Sequence, residues 1–466
     1  GFLGSPQVFV RFLALRDESE IPKGAAVAFV WTVLADGGAV MVGMVGRALL
    51  TSPGEDGEAV LGNGGQDVLP LLVEHVMPGV IIGHNDRIAW GLTNLGPDVT
   101  DLYIERINPD DPFQYEVDGR WVDMEVRTET IEVAGADAVE VTVRSTRHGP
   151  IISDDFGILE DFTDNAGIPL PEAYAIALRW TALEENSSLI DAVLSIDLAT
   201  DFESFRDALR LFDVPSQNMV YADVDGNIGY QSPGLIPIRS NGDGRVPVPG
   251  WTNEYEWTGY IPFDDLPSVY NPSEGYIATA NNPVVDGGYP HLITTDWDHG
   301  DRAARIVEMI EADDSIDLDD VAVMQFDNRN RHADRLLPWF TSVDVVGEDG
   351  TLVRAKEILT IWDRFNDADS AGAAVFEAVW RNLLMLTFHD DLVEDIWPRG
   401  GSRWSLAVAG MLENPKLSIW DDSSTSEVED RDDILEAAFR AGVAEVEDLL
   451  GGDPDEWQWG QLHGAV

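Results

Sequence analysis

A chain of 466 residues with 44% hydrophobic residues and 15 tryptophans can build a sizeable core, and its length alone suggests about three domains. Its 85 acidic against 29 basic residues leave a formal charge of -56, a field that sets the chain against nucleic acid as a partner. With no cysteine, disulfides, thiolate catalysis and sulfur-ligated metals are excluded.

The acids are scattered along the whole chain, and Lys23, Lys356 and Lys416 are its only lysines, so the charge reads as an acidified surface and not as one acidic site. Such a surface repels itself in dilute buffer. It is tolerable where molar salt shortens the Debye length to roughly 3 Å, which points to an extreme halophile.

In chain order, the first long apolar stretch is Ala25 to Leu50. Asp36-Gly37-Gly38 interrupts it, so two strands joined by a glycine turn explain it better than a membrane span. There is no visible signal peptide with a basic n-region and cleavage site, nor a twin-arginine motif. The next block, Pro78 to Glu105 (PGVIIGHNDRIAWGLTNLGPDVTDLYIE), has the form of an active-site wall. Val80-Ile81-Ile82 reads as a buried strand, Gly83-His84-Asn85 as a turn, and a short strand runs through Trp90 to Asn94 and the acids Asp98 and Asp101, which face a pocket. His84 reads as a hydrogen-bonded structural residue.

Up to about Gly300 the pattern is strand-rich. Ile131–Val133 and Val139–Val143 flank the Gly135-Ala136-Asp137 turn as a hairpin, and Met219–Asp223 and Ile228–Tyr230 bracket Asp225-Gly226-Asn227 as another. After Asp301 the period changes to 3.6. Ala303, Ile306 and Ile310 share a helical face, and Ala371 to Phe388 is apolar nearly all round and should be a buried helix. Ile434, Leu435, Ala438, Phe439, Val443, Val446 and Leu450 form a longer face, beginning after the acidic run Glu427 to Asp433. The expected organisation is a poorly patterned segment 1–77, a β-rich core 78–300, a helical insertion 301–452 and a return to the core at 453–466.

General catalytic motifs are missing: there is no G-x-S-x-G elbow, P-loop, G-x-G-x-x-G or H-E-x-x-H among the 8 histidines. His291 and His299, with Asp296 and Asp298 between them, are spaced as a polar loop and not as a metal site on one element.

Several blocks in register carry a more specific signal. They are Gly79 to Glu105; VRSTRHGP at Val143 to Pro150; NMVYADVDGNIGYQSPG at Asn218 to Gly234; VPVPGWTNEYEWTGYIP at Val246 to Pro262; NPSEGYIATANNP at Asn271 to Pro283; and WDHGDRAARI at Trp297 to Ile306. Together they resemble the β chain of the penicillin amidase (penicillin acylase) family of N-terminal nucleophile hydrolases, over about Gly79 to His463. The resemblance implies an α+β fold, the four-layer αββα sandwich of those hydrolases with a helical insertion, incomplete here at both ends. It also implies hydrolysis of linear acyl amides, of the penicillin or N-acyl homoserine lactone type, by an N-terminal Ser whose own α-amino group is the base.

On that resemblance, Asn281 is the side-chain donor to the oxyanion, Asn94 supplies the backbone donor and Arg302 orients the α-amino group and substrate. The ordinary readings are an Asn pair that caps a turn, and a surface ion pair of Arg302 with Asp301. The family requires no organic cofactor. Many members hold a calcium ion, for which Asp98, the Thr100 carbonyl, Asp101 and the Pro237 carbonyl fall on matching positions, while no further acidic ligand stands near Tyr289-Pro290-His291. Members are usually exported and carry a separate α chain.

The resemblance decays upstream of Met77. The best local placement puts Ala28, in AFVWTV, where the nucleophilic Ser should stand, and Gly43-Met44-Val45-Gly46-Arg47 on the family's second polar motif. An alanine cannot attack a carbonyl, so the expectation is a family member with impaired or no turnover. Ser5 and Ser52 read as ordinary loop residues. The expected alternative is a non-catalytic relative or gene remnant, truncated in its reading frame, that acts as a binding protein.

Overall fold

A computed structural model describes residues 79–154 and 174–463 apart from 346, 348 and 424. Ser5, Ala28, Ser52 and the strand pair expected in Ala25–Leu50 lie outside the described residues. The chain divides into two compact units, Gly79–Trp297 and a unit that includes Asp298–Val466.

The unit Gly79–Trp297 opens with strands β1 (Gly83–His84), β2 (Ile88–Asn94), β3 (Thr100–Asn108), β4 (Asp111–Val117), β5 (Arg120–Asp123), β6 (Glu125–Ile131), β7 (Val139–Thr146), β8 (Gly149–Pro150) and β9 (Tyr174–Trp180). Helices α1 (Leu189–Asp197) and α2 (Phe202–Leu209) follow. Strands β10 (Gln217–Asp223), β11 (Ile228–Gln231), β12 (Pro237–Arg239), β13 (Val248–Pro249), β14 (Trp257–Tyr260) and β15 (Ser268–Tyr270) complete the unit.

One antiparallel sheet has the order β1-β2-β10-β11-β15, with β2 and β10 in register from Ile88 opposite Asp223 to Asn94 opposite Gln217. Ile88, Trp90, Met219 and Tyr221 of this sheet form one core cluster with Ala192, Ile196, Phe205 and Leu209 of α1 and α2. The sequence pattern hides these two helices inside a strand-rich region. Asp201 starts α2 by a capping box with Ser204, and Phe202 stacks on Tyr270 at 4.7 Å.

A second sheet runs β13-β3-β4-β5, with β9 also paired to β3. The two-residue period of β3 turns Asp101, Tyr103, Glu105 and Ile107 inward, so two of its four buried residues are carboxylates. Both predicted hairpins form, as β6–β7 and β10–β11.

Val80-Ile81-Ile82 is a correction. These residues are 47%, 50% and 58% exposed, and strand pairing begins only at Gly83. The backbone is drawn elsewhere: Val80 N–H donates to Asp197 at the end of α1, and the Trp90 indole donates to the Ile81 carbonyl. Among the described residues no strand pairs with this apolar run, and it stays outside the core.

The other unit is helical: α3 (Asp301–Glu311), α4 (Leu318–Met324), α5 (His332–Phe340), α6 (Gly350–Ile361), α7 (Ala371–Phe388), α8 (Ser402–Leu412), α9 (Arg431–Leu450) and α10 (Trp459–Leu462). Among the described residues, no helix is long and apolar enough to cross a membrane. Helix α7 is the buried helix the sequence predicts, and its Ala373, Phe376, Val379 and Leu383 pack with Phe439 and Val443 of α9 in one core. Helix α9 starts inside the acidic run, not after it, because Asp430 caps the helix and Asp433 completes a capping box. Trp457, in the segment 453–466 expected to return to the core, lies in the helical core, and α10 follows it.

Gly442 sets how closely α7 and α9 approach. A Cβ there would lie 2.7 Å from the Val379 nitrogen and 2.8 Å from its Cα. Alanine gains about 1 kcal/mol of helix propensity over glycine. Overpacking costs about 1–3 kcal/mol, toward the upper end where the obstacle is backbone. Urea unfolding in molar KCl should therefore show Gly442→Ala less stable by about 1–2 kcal/mol; a midpoint equal to or above that of the parent would mean the two helices separate without cost.

Candidate active site

Asn94 ends β2 opposite Gln217, so two neighbouring strands finish at one rim. Asn218, next to Gln217, is fully buried and donates its amide to the Asn94 carbonyl at 3.0 Å and to Thr93 Oγ1 at 3.1 Å; its own carbonyl accepts the Tyr230 hydroxyl at 2.6 Å. Residues 279–282 reach the same rim. The Thr279 and Thr93 hydroxyls are 3.0 Å apart, and Asn281 Nδ2 donates to the Asn94 carbonyl at 2.8 Å. That carbonyl thus accepts two side-chain amides, one for each lone pair, and its peptide plane is fixed.

Asn281 sits at φ +67°, a left-handed conformation that asparagine tolerates better than most residues with a Cβ. Asn282 Oδ1 accepts the Ala280 N–H at 3.0 Å and ties the turn that holds it. Sequence reading singled out Asn94 and Asn281, and the structure brings them together. It missed Asn218, whose signal is a polar residue opening the otherwise apolar run Met219–Ala222.

Arg302 belongs to the other compact unit, near the start of α3. Its guanidinium is exposed and lies 3.4 Å from Asp298. The expected surface pair with Asp301 is not the one formed, since Asp301 binds Arg335 of α5 at 2.5 and 2.8 Å. His84 is exposed, with Nδ1 3.2 Å from the Asn85 carbonyl.

The proposed calcium ligands Asp98, Thr100, Asp101 and Pro237 lie around Arg239, a residue that sequence reading did not weigh. Arg239 Nε and Nη2 each approach Asp101 within 2.8 Å, and Nη2 also donates to the Asp98 carbonyl at 3.2 Å. The Trp257 indole N–H takes Asp101 Oδ2 at 2.6 Å. Calcium requires six to eight oxygens at about 2.3–2.6 Å. Asp101 has both its oxygens engaged by nitrogen donors, so the donor set as folded does not fit the ion. Among the described residues no group of three or more His, Asp or Glu is disposed to hold a metal.

Glu105, the second inward carboxylate of β3, is compensated differently. Its Oε1 accepts the Thr146 hydroxyl at 2.6 Å and lies 2.7 Å from His148 Nδ1, while His148 Nε2 lies 2.9 Å from Glu256. An imidazole placed between two carboxylates must donate from both nitrogens, so His148 is the imidazolium. It stacks on Tyr103 at 3.7 Å. Burial by itself would lower the His148 pKa, but the hydrogen bonds to Glu105 and Glu256 outweigh it and hold it above the usual histidine value. Burial likewise opposes ionisation of Glu256, and the bond to His148 reverses this and lowers its pKa.

A sequence profile of the family described as Penicillin amidase matches residues 73–466. Acyl-homoserine lactone acylase QuiP of Pseudomonas aeruginosa is 30% identical over 412 residues, covering 83% of this chain and 48% of that protein. Penicillin acylase 2 proenzyme of a Pseudomonas species is 31% identical over 329 residues, 69% of this chain and 39% of that protein. Penicillin G acylase of Escherichia coli is 32% identical over 294 residues, 62% of this chain and 33% of that protein. The chain therefore spans about half or less of the length of these relatives. Among solved structures, thermostable penicillin G acylase from Alcaligenes faecalis superposes with a TM-score of 0.65 at 24% identity, over 82% of this chain and 71% of that one. It shares the α+β fold.

The charge chain at His148 makes stability depend on pH in a stated direction. A histidine whose pKa is raised on folding contributes stability that is complete below its unfolded value, near 6.5, and lost as pH rises through the folded value. Melting temperatures measured across that range should show the advantage of the parent over His148→Asn shrinking as pH rises. A constant difference would mean that His148 is neutral in the fold.

Proposed function

This chain belongs to the penicillin amidase family, and on that premise we propose that it carries the amide-binding and oxyanion-stabilising part of a linear-amide hydrolase site without the nucleophile that turns it over. The Asn281–Asn94 contact, in the segments that resemble the family, carries this reading. Attack on an amide carbonyl puts negative charge on its oxygen. The Asn281 side-chain N–H and the Asn94 backbone N–H are the donors for that charge, and Asn218 holds the Asn94 carbonyl, which lies in the next peptide along.

The substrates we assign are acyl amides, with N-acyl homoserine lactones and penicillin-type amides as the first to test. Ala28 has no oxygen with which to attack. Binding without turnover is the expected behaviour.

Purified chain in molar KCl should release no acid from phenylacetyl amides or from N-acyl homoserine lactones, while calorimetry detects saturable binding that Asn281→Ala weakens. Any turnover that survives Ser5→Ala yet falls roughly 10²–10³-fold in Asn281→Ala, the usual loss of one oxyanion donor, would overturn the assignment of Ala28 to the nucleophile position and keep that of Asn281. Absence of both binding and turnover would sink the site itself.

We further place the chain in a molar-salt environment, a reading supported by its -56 formal charge. Dialysis to about 0.1 M KCl, where the Debye length is about 10 Å, should cost it near-ultraviolet circular dichroism. Full retention of that signal would refute the halophilic reading.

A further inference from the structure

The family resemblance sets a dication among Asp98, Thr100, Asp101 and Pro237, and the structure sets a side chain there. We propose that Arg239 is a covalently attached counter-ion that takes the place of a resident calcium in this chain, so that the Asp98–Asp101 turn is held without metal. The inference rests on the residues around Arg239 and is independent of the hydrolase reading.

The Arg239 and Asp101 side chains are each only 4% exposed, and the guanidinium meets the carboxylate in a forked arrangement with a second reach to Asp98, at 3.3 Å from its carboxylate. A forked guanidinium suits a planar carboxylate better than an ammonium does, and it is weakly enough hydrated to be buried. The space is closed as well as neutralised. Gly244 stands at φ +81° directly over the cluster, where a Cβ would fall 2.6 Å from Asp101 Oδ1, 2.7 Å from Asp98 Oδ2 and 2.8 Å from Arg239 Nη2. Trp257 completes the shell around Asp101, and its indole ring lies under the Arg179 guanidinium at 4.6 Å. Arg179 is itself the residue opposite Asp101 across β3 and β9.

The charge balance is that of a monovalent substitute. One guanidinium serves two carboxylates where a calcium would bring two charges. An attached cation also has a consequence that a bound ion lacks: molar potassium cannot wash it out.

The test compares the full chain with Arg239→Gln and Asp101→Asn in molar KCl, each with chelator or with millimolar calcium. For the parent, the melting temperature should be the same in both conditions, and calorimetry should find no saturable calcium uptake that Asp101→Asn abolishes. Arg239→Gln, which leaves Asp101 without its fork, should melt roughly 10 °C lower with chelator and recover part of that with calcium, because the two carboxylates then become available to the ion. A parent that melts lower with chelator, or that binds one calcium dependent on Asp101, would overturn the proposal. So would an Arg239→Gln protein that folds but gains nothing from calcium. If that variant does not fold, the parent's response to chelator and calcium decides the matter.

Discussion

Two carboxylates buried on one face of β3 are the constraint around which the unit Gly79–Trp297 is arranged. The two-residue period that buries Tyr103 and Ile107 also buries Asp101 and Glu105, and a strand cannot turn one without the other. Leaving either uncompensated would cost several kcal/mol, so a cation must be brought to each from elsewhere in the chain. Arg239 arrives from β12 and His148 from the turn between β7 and β8, residues 138 and 43 positions away in sequence. The contacts at these two points tie β12 and the β7–β8 turn to β3, and Trp257 and Glu256 extend them to the edge of β14.

The same constraint reaches the candidate site. Only residues 95–99 separate the end of β2 from the start of β3, and within them Asp98 is held by Arg239 at one side and by the Ile293 carbonyl through its N–H at the other. Asn94 is therefore pinned from both ends: by the β2–β10 ladder before it and by the ion cluster after it. A donor that acts on a developing charge must be in position before the charge appears. On the proposed reading, fixing Asn94 between neighbouring strands and a buried ion pair would accomplish this at no cost during the reaction.

How much of this could be read from the sequence follows from the range of each interaction. The hairpins β6–β7 and β10–β11 were legible because turn residues and alternation are local, and α7 because Ala371–Phe388 is apolar on every face. Val80–Ile82 misled because an apolar run does not say whether a sheet edge is available to it. Helices α1 and α2 are short and flanked by strands, so their period never dominates a window. Arg239 and Asn218 are the instructive cases. Each is an ordinary polar residue until a strand more than a hundred positions away is laid beside it, and neither pairing is encoded in a spacing. Asn94 and Asn281 were found through likeness to a family, which already contains that long-range information.

The placement of the two asparagines also bears on what such a site can do when its nucleophile is lost. Oxyanion donors act on charge, and charge develops on the carbonyl only if an oxygen attacks it. On the proposed reading, which puts alanine in the attacking position, the donors would have a neutral carbonyl to hold, a weaker partner that they would still orient. The cost of keeping Asn281 in a left-handed conformation would then serve binding alone. Such strain persists only where the surroundings over-determine it. Here Asn282, Thr279 and the doubly accepted Asn94 carbonyl do so through the fold of the rim itself. The geometry of the two asparagines is thus a property of β2, β10 and the turn at residues 279–282, and on the proposed reading it does not depend on a nucleophile being present.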